Sequence, residues 1–295
     1  MPFVFDMRGF WADERVEGLL WNLKNPVFLW VYRYFKKKER QFFSESRHVV
    51  SLTHKGKEEI LKMKLPDVTA EKITVIPCCT DMDLFVPLTD QKILDERRAA
   101  LSIPADSRVI SYLGSFGTWY MAEEMLAFIS ILKQSNLNVI FLIISRDEPE
   151  RILSLATDRG LGSEDLRIVS AKREEVPQWL SLSDETLFFI RPTFSKRASS
   201  PTKMGEALSM GIPVICNDGI GDCTEILQTG EAGFIVKSFT RESYQKMAGV
   251  LLSRAKPEPG RIRAVAKERL DLKMGVSLYE RIYSMMTTHK TEEGR

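Results

Sequence analysis

The sequence predicts an α/β protein with two doubly wound parallel sheets, the first of them incomplete. From residue 108 onward, short apolar strands alternate with amphipathic helices, a pattern typical of a parallel sheet covered by helices on both faces. A strand-helix-strand unit precedes it within residues 48–77. The length of 295 residues, with 44% hydrophobic and 28% charged residues, suits about two globular domains.

The first domain is predicted to lack its opening strands, because the chain begins on an apolar strand at residues 2–5. An aromatic-rich helical segment covers 11–43, and we expect Pro26 to break or kink it, since proline lacks the amide hydrogen and clashes with the preceding turn. The unit at 48–77 follows. We assign residues 1–100 to this partial domain and its linker.

The second domain, residues 101–295, contains the more regular alternation. Its predicted strands are RVISYLG, NVIFLIIS, LRIVS, TLFFIR, PVICND and GFIVK. Two C-terminal helices are predicted from about Arg241 and Arg261, and the last is a candidate to return to the first domain. Ligands of such sheets bind beyond the carboxyl ends of the strands. The candidate site therefore lies in the loops after Gly114, Ser145, Ser170, Arg191 and Asp218.

Composition excludes several classes of protein. With 42 Lys and Arg against 40 Asp and Glu, the formal charge of +2 gives no argument for nucleic-acid binding. The four cysteines form no CxxC pair and there are three histidines, so we expect a reducing compartment, no metal site and no cofactor. Neither a signal peptide nor a membrane span is apparent, which predicts a cytoplasmic protein.

The stretch from Phe194 to Asp222 is the most informative. A serine-rich loop opens a helix there, and the free amides and positive dipole end of a helix suit a diphosphate. The residues placed to bind it are Ser199, Ser200, Pro201, Thr202 and Lys203. Glu206, two turns into the helix, can accept hydroxyls from a ribose. Alternatively, a serine caps the helix and Glu206 faces water.

The same stretch resembles a known family. The runs SSPTKMGEAL and EALSMGIPV, with DMRGFWADE, VIPCCTDMDLF and YLGSFGTWY, are similar to the retaining GT-B glycosyltransferases of the family-four group (glycosyl transferases group 1), in particular to a bacterial branch that makes surface polysaccharides. The resemblance implies two Rossmann-like domains and transfer from a nucleotide-diphosphate sugar to a glycan or lipid-linked acceptor, with retention of configuration. It also implies that Glu206 holds the nucleotide ribose.

Two departures from the family pattern stand out. The first glutamate of the paired signature is replaced by Ala198, so the carboxylate that many relatives place near the transferred sugar is absent. The loop at 114–120 lacks the usual basic pair, although Gly114, Ser115 and Gly117 still allow backbone amides to approach a phosphate. These glycines are equally common in ordinary strand-to-helix turns.

Cations in this region are candidates for stabilising the departing diphosphate. We favour Lys203 as the catalytic cation, with Arg191 and Arg197 as alternatives. Lys172 follows the strand LRIVS, where the resemblance places contacts to the base, although it also suits an ordinary surface position.

Asp6 and Arg8 follow the first strand and face the donor across the cleft in such folds. Both are candidate catalytic residues that contact the acceptor or the donor phosphates. The alternative is a simple ion pair within a turn.

An aromatic stripe in the first domain leaves two interpretations open. It comprises Leu20, Trp21, Phe28, Leu29, Trp30, Tyr32, Tyr34 and Phe35, followed by three lysines at 36–38. Such a stripe is usually core, but it could also contact the inner face of a membrane. Two alternative functions are a catalytically inactive or partner-dependent remnant that binds nucleotide sugar, and a sugar-nucleotide epimerase on the same architecture.

Overall fold

Two parallel sheets form the protein in the computed structural model, which describes residues 2–253, 255 and 257–292. The first sheet has the order β1-β2-β3 and is made of Val4–Met7, His48–Ser51 and Ile73–Val75. The second has the order β6-β5-β4-β7-β8-β9. Its strands, from β4 to β9, are Arg108–Leu113, Val139–Ile144, Leu166–Val169, Glu185–Phe188, Val214–Asn217 and Gly233–Val236. The predicted α/β class with two parallel sheets is confirmed.

The predicted break near Pro26 is present in the first domain. Helix α1 covers Trp11–Glu17, α2 covers Pro26–Glu45 and α3 covers His54–Lys62. Pro26 begins α2, because at the first helical position the missing amide hydrogen is no loss. The Asn25 side chain accepts from the Val27 amide at 2.9 Å and caps this start. In the linker, α4 covers Gln91–Ala100.

Helices of the second domain cover both faces of its sheet. They are α5 (Ala122–Gln134), α6 (Pro149–Thr157), α7 (Val176–Leu180), α8 (Thr202–Ser209), α9 (Cys223–Gln228), α10 (Arg241–Ser253), α11 (Pro259–Arg269) and α12 (Leu272–Glu292). The prediction of two C-terminal helices was wrong by one. The Thr80 amide donates to the Leu270 carbonyl at 2.7 Å, and the Leu272 amide donates to the Thr80 carbonyl at 3.0 Å. This pairing separates α11 from α12.

The last helix returns to the first domain. Leu278, Tyr279 and Ile282 of α12 pack against Val50 and Ile76 of the first domain, in a cluster on one side of the first sheet. A separate cluster around Phe10, Phe43 and other first-domain residues also contains Ala198, which follows β7 in the second domain. The two domains therefore share apolar packing at two places, which brings the loops of both to one cleft.

Candidate functional site

The loop at 114–120 and helix α8 border two adjoining cavities at the carboxyl ends of the second sheet. One cavity of about 260 Å³ is lined by Gly114, Ser115, Ser145, Ala171, Arg173 and Glu206, among others. The other, of about 360 Å³, lies between the domains and is lined by Arg8, Cys78, Trp119, Tyr120, Lys196 and residues 199–202. The structure thus brings together most of the residues that the sequence predicts at the donor site.

Lys203 is the most unusual group in this region. Its Nζ lies 3.4 Å from the centre of the Tyr120 ring and 4.3 Å from that of Tyr112. The Nζ is buried and, within the described part of the chain, has no hydrogen-bond partner. Burial lowers the pKa of Lys203 to about 7, although the charge of Glu206 acts in the opposite direction. Two aromatic faces can stabilise a desolvated ammonium by about 2 kcal/mol each, which offsets its burial only in part.

Gly114 gives this lysine its room. It has a φ of +112°, which residues other than glycine rarely adopt, and a Cβ placed there would lie 3.2 Å from the Lys203 Nζ. The Gly114 amide donates to Ile144 at 2.9 Å and the Phe116 amide to Asp147 at 2.6 Å. These two amides are therefore engaged in fixing the loop. Gly117, by contrast, is open, because a Cβ added to it would meet nothing within 4 Å.

Glu206 lies on the buried side of α8, and 5% of its surface is exposed. Arg173, in the turn after β6, donates to its Oε1 at 2.8 Å and lies over the Phe85 ring at 5.3 Å. Lys172 is exposed, whereas its neighbours Ala171 and Arg173 line the cavity. Sequence reasoning missed Arg173. Its only signal was a second basic residue beside Lys172.

The start of α8 is tied to the first domain through Cys78. The Cys78 amide donates to the Ser200 Oγ at 3.1 Å. Burial raises the pKa of the Cys78 thiol, which also makes side-chain hydrogen bonds with Thr202 and Ser200. Pro201 occupies the N-cap position in extended conformation, and Pro201 and Thr202, at the start of α8, line the cavity of about 360 Å³. The predicted cluster at 199–203 is thus gathered at one helix start.

Ala198, at the position of the first signature glutamate, has 0% of its surface exposed. It packs in the apolar cluster of the first domain with Met7, Phe10 and Ile60. A Cβ added to Gly56 would lie 3.0 Å from its methyl group. This position therefore has no room for a carboxylate, and its side chain lies in the core of the first domain rather than in the cleft.

Asp6 and Arg8 lie beside the cleft. They are 3.5 Å apart, and the Arg8 side chain is 74% exposed and lines the interdomain cavity. Burial and, to a smaller extent, the charge of Asp6 and a hydrogen bond with it raise the pKa of Tyr279 to about 12. Both the ion pair and the cleft position that the sequence allowed are present. Of the alternative cations, Arg197 pairs with Glu59 at 2.8 Å.

The aromatic stripe is divided between packing and exposure. Trp21 stacks on Phe35 at 6.0 Å, while Trp30 and Leu20 are 68% and 56% exposed. Lys36 is paired with Asp13 at 2.7 Å. Within the described ranges, no helix is long and apolar enough to cross a membrane, and no three His, Cys, Asp or Glu side chains are grouped as a metal site. Membrane contact remains a prediction.

Two parallel α/β domains that face each other across such a cleft define the GT-B class of glycosyltransferases. Solved structures with this fold include sucrose-phosphate synthase from Thermosynechococcus elongatus, with 16% identity, a TM-score of 0.72 and coverage of 97% of this chain and 68% of that one. Anabaena Alr3699/HepE in complex with UDP-glucose has 15% identity, a TM-score of 0.69 and coverage of 97% and 72%. WaaG, a glycosyltransferase involved in lipopolysaccharide biosynthesis, has 18% identity, a TM-score of 0.63 and coverage of 90% and 70%.

The family is identified by sequence. The family model of glycosyl transferases group 1 matches residues 94–268, which is more than half of the chain. The chain therefore belongs to the glycosyl transferases group 1 family. No curated protein matches the sequence.

Proposed function

We propose that this chain transfers a sugar from a nucleotide-diphosphate sugar to a glycan or lipid-linked acceptor, with retention of configuration. The second domain holds the donor, and the first domain, through Asp6 and Arg8, faces the acceptor. The observation that carries the proposal is the Lys203 ammonium, buried at the start of a helix without an acceptor among the described residues. A diphosphate at this helix start would accept from the free amides and supply the opposite charge that favours the protonated form of Lys203.

The roles of the residues follow from their positions. Glu206, at the back of the smaller cavity, accepts the ribose hydroxyls, and Arg173 holds its carboxylate in place. The base then lies toward Ser145 and Ala171. The diphosphate lies between the start of α8 and Lys203, where the dipole and the ammonium stabilise the charge that develops as the glycosidic bond breaks. The transferred sugar occupies the interdomain cavity of about 360 Å³ near Arg8.

Similar structures support the choice of nucleotide for a first test. Anabaena Alr3699/HepE was solved with UDP-glucose and with UDP, so UDP is the first ligand to try. WaaG acts in lipopolysaccharide biosynthesis, in keeping with an acceptor for a surface polysaccharide. Both points concern those proteins and guide the experiment on this chain.

A thermal-shift titration tests the proposal, with UDP, GDP, ADP and CMP against the wild-type chain and Glu206→Ala. A ligand at 100 times its Kd should stabilise the fold by roughly 2.7 kcal/mol. We expect one nucleotide to raise the Tm of the wild type and to lose most of this effect with Glu206→Ala. The matched control is Glu242→Ala, which removes a carboxylate from α10 in the second domain, outside both cavities.

The absence of a shift with every nucleotide would overturn the donor site. A shift without sugar release from the matching nucleotide sugar would instead favour the inactive, binding-only alternative. Release of the sugar to water or to an added acceptor, measured by product analysis, distinguishes the two. The configuration of the product at the anomeric carbon tests retention.

A further inference from the structure

Helix α1 contacts two loops of the opposite domain, 114–120 and 193–202, which we call the donor loops. The two carboxylate oxygens of Glu17 accept from two successive amides, those of Phe194 and Ser195, each at 3.0 Å. Glu14 pairs with the buried Lys196. Phe10, directly before α1, stacks on Phe194 with ring centres 4.9 Å apart. The loop that leads to α8 is thus held at three points by one short helix.

The other donor loop is reached through Trp119. The Lys196 Nζ lies 3.7 Å from the centre of the Trp119 ring. The same ring packs on Gly18, at the end of α1, where an added Cβ would lie 2.9 Å from the Trp119 Cζ2. Tyr120, the next residue, lies over the Lys203 ammonium. A continuous set of contacts therefore runs from α1 to the proposed diphosphate site.

The placement of Glu17 is unfavourable for α1 itself. It occupies the last turn of the helix, where the negative end of the helix dipole disfavours a carboxylate by a few tenths of a kcal/mol or more. The interactions that stabilise Glu17 come from outside the helix, because its carboxylate accepts from two amides at the start of the 3₁₀ turn 195–198. A residue that breaks a local rule in this way points to a role at a site.

We propose that Glu17 is a positioning residue, by which the acceptor-side domain fixes the donor loops in the geometry that binds a diphosphate. The inference rests on the function proposed above. It predicts that Glu17 matters for the phosphates of the donor and little for its nucleoside. Glu17 accepts from Phe194 and Ser195 in the loop that leads to α8, and neither these residues nor α1 line the cavity around Glu206.

The test compares the affinities of UDP and UMP by calorimetry in the wild type, Glu17→Ala and Glu17→Gln. If GDP gives the larger thermal shift, GDP and GMP replace them. We expect Glu17→Ala to lower the affinity for UDP about tenfold and the affinity for UMP by less than threefold, so that the preference for the diphosphate falls. Glu17→Gln keeps the shape and one acceptor oxygen, and should lie between the two. Glu45→Ala on α2 is the control, since its exposed carboxylate accepts only from Gln41 in the described contacts.

Gly18→Ala provides a second perturbation of the contact between α1 and the donor loops, because the added methyl group would lie 2.9 Å from both the Trp119 Cζ2 and the Glu14 backbone oxygen. It should lower the preference for UDP over UMP in the same direction. A loss of affinity by the same factor for both nucleotides, or no change in either variant, would overturn the inference. Wild-type protein that binds no nucleotide would overturn the donor site as well, which makes the two failures distinguishable.

Discussion

The buried ammonium of Lys203 predicts that the affinity for UDP falls steeply above neutral pH. With a pKa of about 7, half of this side chain is protonated at pH 7 and about one part in a hundred at pH 9. A bound diphosphate favours the charged form, because an opposite charge within a few ångströms raises a lysine pKa by about 1 to 3 units. UDP then binds the protonated protein, and its Kd should rise about fifty-fold between pH 7 and pH 9.

Calorimetry measures both parts of this prediction. Titrations of UDP at pH 7, 8 and 9 give the Kd, and repeating them at pH 8 in buffers of different ionisation enthalpy counts the protons taken up. We expect close to one proton per UDP at pH 8, because about nine tenths of the free lysine is neutral there. The control is Lys203→Met, which should bind UDP more weakly at pH 7 with a Kd that stays flat up to pH 9. A flat wild-type curve, or the same slope in Lys203→Met, would refute the reasoning.

Three further predictions concern stability and the same loops. Without ligand, the pKa of Lys203 in the folded protein lies below its unfolded value of about 10.5, so the folded state becomes more stable as pH rises. Between pH 7 and 9 the free energy of unfolding of the wild type should increase by about 1 to 2 kcal/mol relative to that of Lys203→Met, after allowing for partial solvent screening. Urea unfolding measures this difference. Gly114→Ala should lower stability by about 1 to 2 kcal/mol and weaken the binding of UDP, through its positive φ and the nearby Lys203 Nζ. Gly117→Ala, with open space around it, should leave stability unchanged. Ala198→Glu should lower the free energy of unfolding by about 3 kcal/mol or more, because it places a carboxylate in an apolar cluster. A gain in the rate of sugar transfer at unchanged stability would contradict the assignment of Ala198 to the core.

Sequence periodicity predicted the fold where local signals and tertiary packing agree. Strand β5 reads as an unbroken apolar run, and all six of its residues are buried, as a central parallel strand requires. The errors fell where a contact distant in sequence decides the outcome. The end of α11 depends on Thr80, which lies far from it in the sequence. No local pattern near residue 270 indicates that pairing.

The candidate site divides in the same way. The start of α8 and Glu206 were predictable, because a helix start and a buried glutamate three residues beyond Lys203 are local features. The two tyrosines around Lys203 were not, since they come from a different strand and loop and meet the lysine only in the folded chain. Arg173 was missed for a similar reason. Its partner, Glu206, is 33 positions away.

The burial of Ala198 has a consequence for the proposed chemistry. Among the described residues that line the cavity of about 360 Å³ near Arg8, there is no Asp or Glu, and the remaining signature carboxylate, Glu206, is held by Arg173 at the cavity of about 260 Å³. Residues 199–201 also border a second interdomain cavity of about 460 Å³, which is lined by Glu58, Asp222, Glu225 and Glu268. In the part of the chain that the structure describes, side-chain carboxylates are therefore absent from the cavity near Arg8 and present in this second one. In the proposed mechanism, the α8 amides and Lys203 act on the other half of the breaking bond, by stabilising negative charge on the departing diphosphate. The balance of catalysis in this chain should thus rest on the leaving group, with Asp6, beside Arg8 at the cleft, as the carboxylate on the acceptor side.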